Sequence, residues 1–275
     1  RARAHFMRSE AEDARTALEA ALTLSRQARL VSFEARALEQ LALLRWSVGD
    51  YQGAQDMLDG ALALTRANDD LRAEWSVLNN MGVVATEQRD FERAARCFAG
   101  ARAIVARTGQ RAAEARLLIN EGDAGYEAGD YVLARDCAKQ AFDIAVDVAE
   151  RQLQAISAGN LAETLIEVGD YAAARRNVDA ALSLANEIGF RRGVCACREW
   201  LSRIHLAQGD AAAALAEAEA GAALAGELKL RTRLGTLSVR RALALARLGR
   251  FGDAREAGDA ARALATELGA PALAA

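Results

Sequence analysis

The feature that most constrains this chain is a turn motif that returns at one fixed interval of 40 residues, with no insertion or deletion between its copies. Gly49-Asp50-Tyr51, Arg89-Asp90-Phe91, Gly129-Asp130-Tyr131, Gly169-Asp170-Tyr171, Gly209-Asp210-Ala211 and Gly249-Arg250-Phe251 mark it. A chain with such a period folds as a stack of similar units, each burying its apolar face only against its neighbours. The residues on either side of the turn define the unit. Five positions past the turn glycine stand Ala54, Ala94, Ala134, Ala174, Ala214 and Ala254, with Ala14 in the same register. Seven further on come Ala21, Ala61, Ala101, Ala141, Ala181 and Ala261, with Gly221 in place of alanine, and three beyond that an apolar column from Leu24 to Leu264.

Residues seven apart share a helical face, so these small side chains let a neighbouring helix approach closely along two turns. That is the second helix of each unit. A small column before the turn, Ala42, Gly82, Gly122, Ala162, Ser202 and Ala242, marks the close crossing of a first helix on its partner. Glycine at the turn fits a left-handed helix C-terminus, and the following aspartate can accept from the free amides that open the next helix. Arg89 replaces glycine in one turn and is expected to adopt the same left-handed backbone, at a cost on the order of 1 kcal/mol. With no alternating stretch and a sole proline at Pro271, the chain is expected to be all α.

The small residue, the Gly-Asp-Tyr turn and the two alanines at offsets of five and twelve resemble the tetratricopeptide repeat, over roughly residues 9 to 268. The usual repeat is about 34 residues; these are longer and lack its closing proline. The longer form is similar to the repeats of kinesin light chain, of bacterial peptide-pheromone receptors and of large bacterial transcription activators. The resemblance implies a right-handed α-solenoid of antiparallel helix pairs whose first helices line a concave groove. Residues 10–28 fit an orphan second helix, and full pairs are expected at 32–68, 71–108, 111–148, 151–188, 191–228 and 231–268. One quasi-linear domain over 1–275 follows. The chain opens Arg-Ala-Arg and both ends keep the repeat pattern, so it is expected to be a piece of a longer protein, with open ends that leave room for homo-oligomer contacts.

A net charge of −3 gives no global reason to expect nucleic acid or an anionic membrane as partner. No apolar run approaches the roughly 20 residues that cross a bilayer, and the chain reads as cytoplasmic. Cys97, Cys137, Cys195 and Cys197, with only His5 and His205 to add, lack the paired spacing of a zinc site and read as buried thiols. There is no phosphate loop, GxGxxG, HExxH or GxSxG, and no nucleophile can be paired with a base. No enzyme, metal or cofactor is expected.

The candidate binding residues are polar groups in first-helix columns. Asn80, Asn120 and Asn160 form one column; Glu87, Glu127 and Glu167 form another on nearly the same face, with Asp123, Tyr126 and Glu163 between. Asparagine inside a helix costs up to about 0.7 kcal/mol, and glutamate in the last turn faces the negative end of the helix dipole. Toward the C-terminus the columns change chemistry: Trp200 and Arg203, then Arg240 and Arg247, in a segment from Lys229 to Arg262 with nine basic and three acidic residues. In the families this chain resembles, an asparagine amide offers a donor and an acceptor to a peptide backbone. The resemblance therefore implies a protein- or peptide-binding scaffold, the sensor or docking segment of a larger regulatory protein. The Ala/Arg-rich composition points to a bacterium. The alternatives are a small-molecule effector domain, which needs one closed pocket, and a structural spacer, which needs no site. The two-carboxylate clamp for chaperone tails is disfavoured, because its columns hold Glu39, Asn79 and Ile119, and Leu43, Val83 and Asp123.

Overall fold

In the computed structural model the backbone is described from residue 2 to 268 and the side chains from 12 to 267; Pro271 and the side chain of His5 lie outside those limits. Every described element is an α-helix. Where the repeat spacing reads as one array, the helices group into two compact units, residues 1–130 and 131–275. Unit 1 holds α1 (Ala2–Gln27), α2 (Val31–Ser47), α3 (Tyr51–Ala67), α4 (Leu71–Glu87), α5 (Phe91–Thr108) and α6 (Arg111–Ala128). Unit 2 holds α7 (Tyr131–Asp147), α8 (Arg151–Glu167), α9 (Tyr171–Glu187), α10 (Arg191–Ala207), α11 (Ala211–Glu227), α12 (Arg231–Arg247) and α13 (Phe251–Leu268).

The turns set the geometry, and they recur twice per repeat. Positive φ is found at residues 29, 49, 69, 89, 109, 129, 149, 169, 189, 209, 229 and 249, one every 20 residues. Seven are glycine; Arg29, Asp69, Arg89, Ala149 and Lys229 are not. The hydrogen bonding is the same at each of these turns except that at Gly109, whose N–H donates to Val105 O at 3.0 Å. Asp50 N donates to Arg45 O at 2.9 Å and Gly49 N to Trp46 O at 3.0 Å, the pair of bonds that closes a helix on a left-handed residue. Arg89, at φ 59°, closes α4 in the same way. The next helix then begins under an aspartate cap where the sequence provides one. Asp50, Asp70, Asp90, Asp170 and Asp210 accept from the amides of Gly53, Ala73, Arg93, Ala173 and Ala213 at 2.9–3.1 Å.

Between turns the small columns do the packing. In unit 1 Ala42, Ala54, Ala61, Ala94 and Ala101 are buried; in unit 2 Ala134, Ala141, Ala162, Ala174, Ala181, Ser202 and Ala214 are. The gaps they leave are filled by large side chains. A Cβ at Gly82 would lie 2.5 Å from the ring of the buried Phe98, and one at Gly159 would lie 2.6 Å from the indole of Trp200. Gly221 departs from its alanine column because the Leu237 side chain occupies that space, 2.8 Å from where a Cβ would stand. Consecutive helices pack antiparallel within each unit, and first helices also touch first helices: α2 with α4, α4 with α6, α8 with α10, α10 with α12. Helix α1 is one continuous element that begins well before the orphan-helix template. It packs on α2 through Leu22 and Ser25, leaving Ala14, Ala21 and Leu24 exposed.

The non-glycine turns carry a testable strain. A left-handed L-residue costs roughly 1–2 kcal/mol, and glycine's freedom in the unfolded chain takes back about 0.4–1 kcal/mol. Ala149 is exposed and its side chain offers nothing to lose, so Ala149→Gly should raise the denaturation midpoint, by about 0.5 kcal/mol in stability. Arg89→Gly should gain less, because the Arg89 guanidinium lies 5.3 Å from the Phe91 ring centre and donates to the Glu127 carbonyl at 3.4 Å. Equal gains in chemical denaturation would show that these contacts contribute nothing.

Candidate functional site

Because first helices stack directly on one another, their polar side chains meet across the interface. In unit 1 they form a continuous row. The buried Glu39 on α2 accepts from Ser76 Oγ at 2.6 Å and from Asn80 Nδ2 at 2.8 Å, both on α4. Asn79 donates to Asn80 Oδ1 at 3.4 Å, and Asn79 Oδ1 accepts from Asn120 Nδ2 on α6 at 2.9 Å. Two of these bonds, Glu39 to Asn80 and Asn79 to Asn120, join residues 41 apart. The polar cost of Asn80 and Asn120 inside helices is thus offset by bonds between repeats, while each residue remains half-buried.

Farther along the same helices of unit 1 the row turns acidic. Asp123 and Glu127 are exposed on α6, and Tyr126 is half-buried beside them. Burial and the neighbouring Glu127 push the Glu87 carboxyl up from its ordinary range. Arg89 partly compensates, 3.9 Å from Glu127.

Asn160 lies in unit 2, half-buried on α8, where its backbone carbonyl accepts from Thr164 Oγ1 at 2.9 Å. The α8–α10 interface carries no amide pair: Trp200 of α10 lies over Gly159 of α8. Its indole N–H is buried and lacks a partner in strict hydrogen-bond geometry, yet is close enough to Glu163 to stabilise that carboxylate. Burial acts more strongly in the other direction and raises the Glu163 pKa, with Arg203 opposing it. Arg203 on α10 pairs with Glu167 and stands 3.6 Å from Glu163, both on α8. Glu199 on α10 is buried and paired with Arg233 on α12 at 2.5 Å. Beyond these pairs the carboxyl-terminal parts of α8, α10 and α12 line an open pocket of about 330 Å³. Glu167, Arg203, Arg240 and Arg247 line it.

Sequence columns therefore brought Asn80 and Asn120 together in unit 1, and Glu167, Arg203, Arg240 and Arg247 together in unit 2. They missed Glu39, Ser76, Glu199 and Arg233, because contacts join a residue to one 34, 37 or 41 positions on, whereas columns compare residues 40 apart. Among the described residues no three His, Cys, Asp or Glu side chains are placed to hold a metal ion, and no helix is long and apolar enough to cross a membrane. All four cysteines are buried; burial raises the Cys97 and Cys195 thiols and pushes Cys197 to about 12.

Tandem helix pairs with polar inner contacts between first helices define an α-helical repeat scaffold. Residues 76–145 match the model of the tetratricopeptide repeat family. No curated protein matches the chain. Among solved structures, the apo form of RapI is similar with a TM-score of 0.75 at 14% identity, covering 95% of each chain. A Rap protein complexed with competence and sporulation factor gives 0.67 at 16% identity, covering 96% of this chain and 79% of that one. A signal-transduction ATPase with numerous domains and a tetratricopeptide repeat sensor, from Pyrococcus horikoshii, gives 0.69 at 13% identity over 85% of this chain. The chain spans 37% of that protein's length.

The row in unit 1 gives two expectations. Glu39→Ala strands Ser76 and Asn80 and should cost about 1–3 kcal/mol, whereas Glu92→Ala, at an exposed position, should stay within about 0.5 kcal/mol; urea melts of the two variants check this. Glu87 has its pKa raised by folding, so the folded state binds more protons than the unfolded one above the ordinary glutamate value. Its contribution to stability should fall as pH rises from about 4.5 through the raised value, and Glu87→Gln should remove that slope from a stability–pH profile.

Proposed function

We propose that this chain is a non-catalytic binding scaffold that holds an extended peptide or partner segment on the exposed faces of its first helices. Its place would be as the sensor or docking segment of a larger bacterial regulatory protein in the cytoplasm. The observation that carries the reading is the amide row of unit 1. Asn80 and Asn120 are fixed by Glu39 and Asn79, and their described hydrogen bonds leave Asn120 Oδ1 to accept from a ligand. A ligand backbone that meets a prepositioned amide orders less on binding. The fold shared with a Rap protein complexed with competence and sporulation factor supports a peptide ligand, and the fold shared with a tetratricopeptide repeat sensor supports a sensory role.

Amides select an extended backbone and little sequence, so specificity falls to charge. Asp123 and Glu127 in unit 1 favour lysine or arginine in the ligand. In unit 2 Asn160 and Glu163 offer the same kinds of group beside Trp200. Neither nucleic acid nor a membrane is a partner in this reading, and further copies of the chain could add through the repeat ends.

The test is a peptide-library pull-down with the wild type and with Asn120→Ala, after melts show that the variant folds. Loss of one amide should weaken binding by about 0.5–1.5 kcal/mol, and Glu127→Lys should weaken cationic ligands in a salt-dependent way. Capture of the same peptides with equal affinity by the wild type and Asn120→Ala would reduce the row to a purely structural device and defeat the proposal.

A further inference from the structure

At its amino-terminal end unit 1 leaves open the kind of face that later repeats cover. A first helix packs both on the second helix that follows it and on the next first helix: α2 on α3 and α4, α8 on α9 and α10, α10 on α11 and α12. Helices α1 and α2 stand in the places of α3 and α4, with no first helix ahead of them among the described residues. Side-chain exposure shows the result. Leu24 on α1 and Phe33 on α2 are each 64% exposed, whereas Ile104 and Ile144 in the Leu24 column, and Ala113 and Leu153 in the Phe33 column, are each 6% exposed. Ala14 and Ala21 are exposed as well, although Ala54 and Ala61, one repeat on, are fully buried.

The polar groups of this face define the chemistry of what would cover it. In the later stacks Ser76 and Asn80 on α4 donate to Glu39 on α2, and Arg233 on α12 donates to Glu199 on α10. One repeat before Ser76 and Asn80, α2 carries Arg36 and Gln40; both are exposed, and no described residue bonds to either. In both first helices that present the accepting glutamate a small residue follows three positions on, Ala42 after Glu39 and Ser202 after Glu199, and each is 0% exposed. The chain does not fill the face itself. The 40-residue period would place a turn at residues 9 and 10, and α1 runs unbroken through them from Ala2 to Gln27. A second copy offers the wrong chemistry, since the final first helix of each unit, α6 or α12, holds Ile119 or Val239 in the Glu39 column.

We propose that this face docks one amphipathic helix of a partner protein, a helix that presents a glutamate, a small residue three positions on, and leucines beside them. The glutamate accepts from Arg36 and Gln40, a charge-assisted contact that fixes the register. The small residue lets the helix close on Ala14 and Ala21, and the leucines cover Leu24 and Phe33, whose burial supplies most of the affinity. This goes beyond the peptide reading: it uses the side of α2 away from α4 and stands whether or not the amide row binds anything.

The experiment is a fluorescence-anisotropy titration of the full chain against a labelled synthetic peptide of the α2 sequence, residues 31–47, in which Glu39 and Ala42 supply the required pair. Saturable binding to a single site is expected, with a gain of helical circular dichroism, because an isolated helix of this length is marginal in water. Leu24→Glu and Phe33→Glu, both at exposed positions, should each weaken it by about tenfold or more. Arg36→Glu should weaken it about twofold to fivefold, and a peptide carrying Glu39→Arg should recover that loss on this variant alone. Val132→Glu, at an exposed apolar position of unit 2, should bind as the wild type does. The proposal is overturned if the peptide does not bind saturably, if Leu24→Glu and Phe33→Glu bind as the wild type does, or if Val132→Glu weakens binding as much as they do. It is equally overturned if the wild type sediments as a dimer that Phe33→Glu dissociates, which would make a second copy the occupant.

Discussion

Everything in this structure depends on one backbone event, the left-handed residue that ends a helix every 20 positions. It turns the chain back within three residues, closes the preceding helix, with the same pair of hydrogen bonds at every such turn but Gly109, and at Asp50, Asp70, Asp90, Asp170 and Asp210 lets an aspartate open the next. Helices of 17 or 18 residues follow from that spacing for α2 to α13. Constant length in turn keeps the alanine columns in register, and only in register can small residues on one helix receive Phe98, Trp200 or Leu237 from another. The five non-glycine residues that adopt this conformation show that the register outranks local preference.

The same stacking that buries alanines brings first helices side by side, and the two units use that contact differently. Unit 1 joins its first helices by neutral amides and a buried carboxylate that accepts two hydrogen bonds. Unit 2 replaces the amide by an indole over a glycine and adds ion pairs, Arg203 to Glu167 and Arg233 to Glu199. Such pairs hold their geometry because both partners lie partly out of water, where screening by salt is weaker. Farther out, Arg151, Arg191 and Arg231 reach Glu187, Glu227 and Glu267 at the open ends of successive helix pairs. Being exposed, these links add little to stability.

The fold was largely legible in the sequence because its strongest determinants are local and periodic. Turn residues, caps and small columns each report on a backbone position, and Arg89 could be read from its place among glycines alone. The turns between repeats were harder, since Arg29, Ala149 and Lys229 carry no residue-type signal for a left-handed backbone and Asp69 carries only a weak one. The candidate site was legible only in part. Column analysis singled out Asn80, Asn120, Arg240 and Arg247 as unusual, but the partners that give them meaning are offset from the column period. Glu39 illustrates this: as a lone glutamate in an apolar stretch it looks like a surface residue, and only packing shows it buried beneath Ser76 and Asn80. Helix α1 differs for a similar reason, as its sequence continues to favour helix upstream of the template.

The uniform turn spacing also governs how such a chain can change over generations. One residue gained or lost inside a helix rotates everything beyond it by about 100°, which swings Ala54 or Ala61 off the face that meets the neighbouring helix and puts a charged side chain there. A single-codon slip is therefore punished across a whole interface, while duplication or loss of an entire repeat leaves every register intact. Length in this architecture varies by whole repeats, and new recognition chemistry enters by substitution at first-helix positions within a repeat already in place.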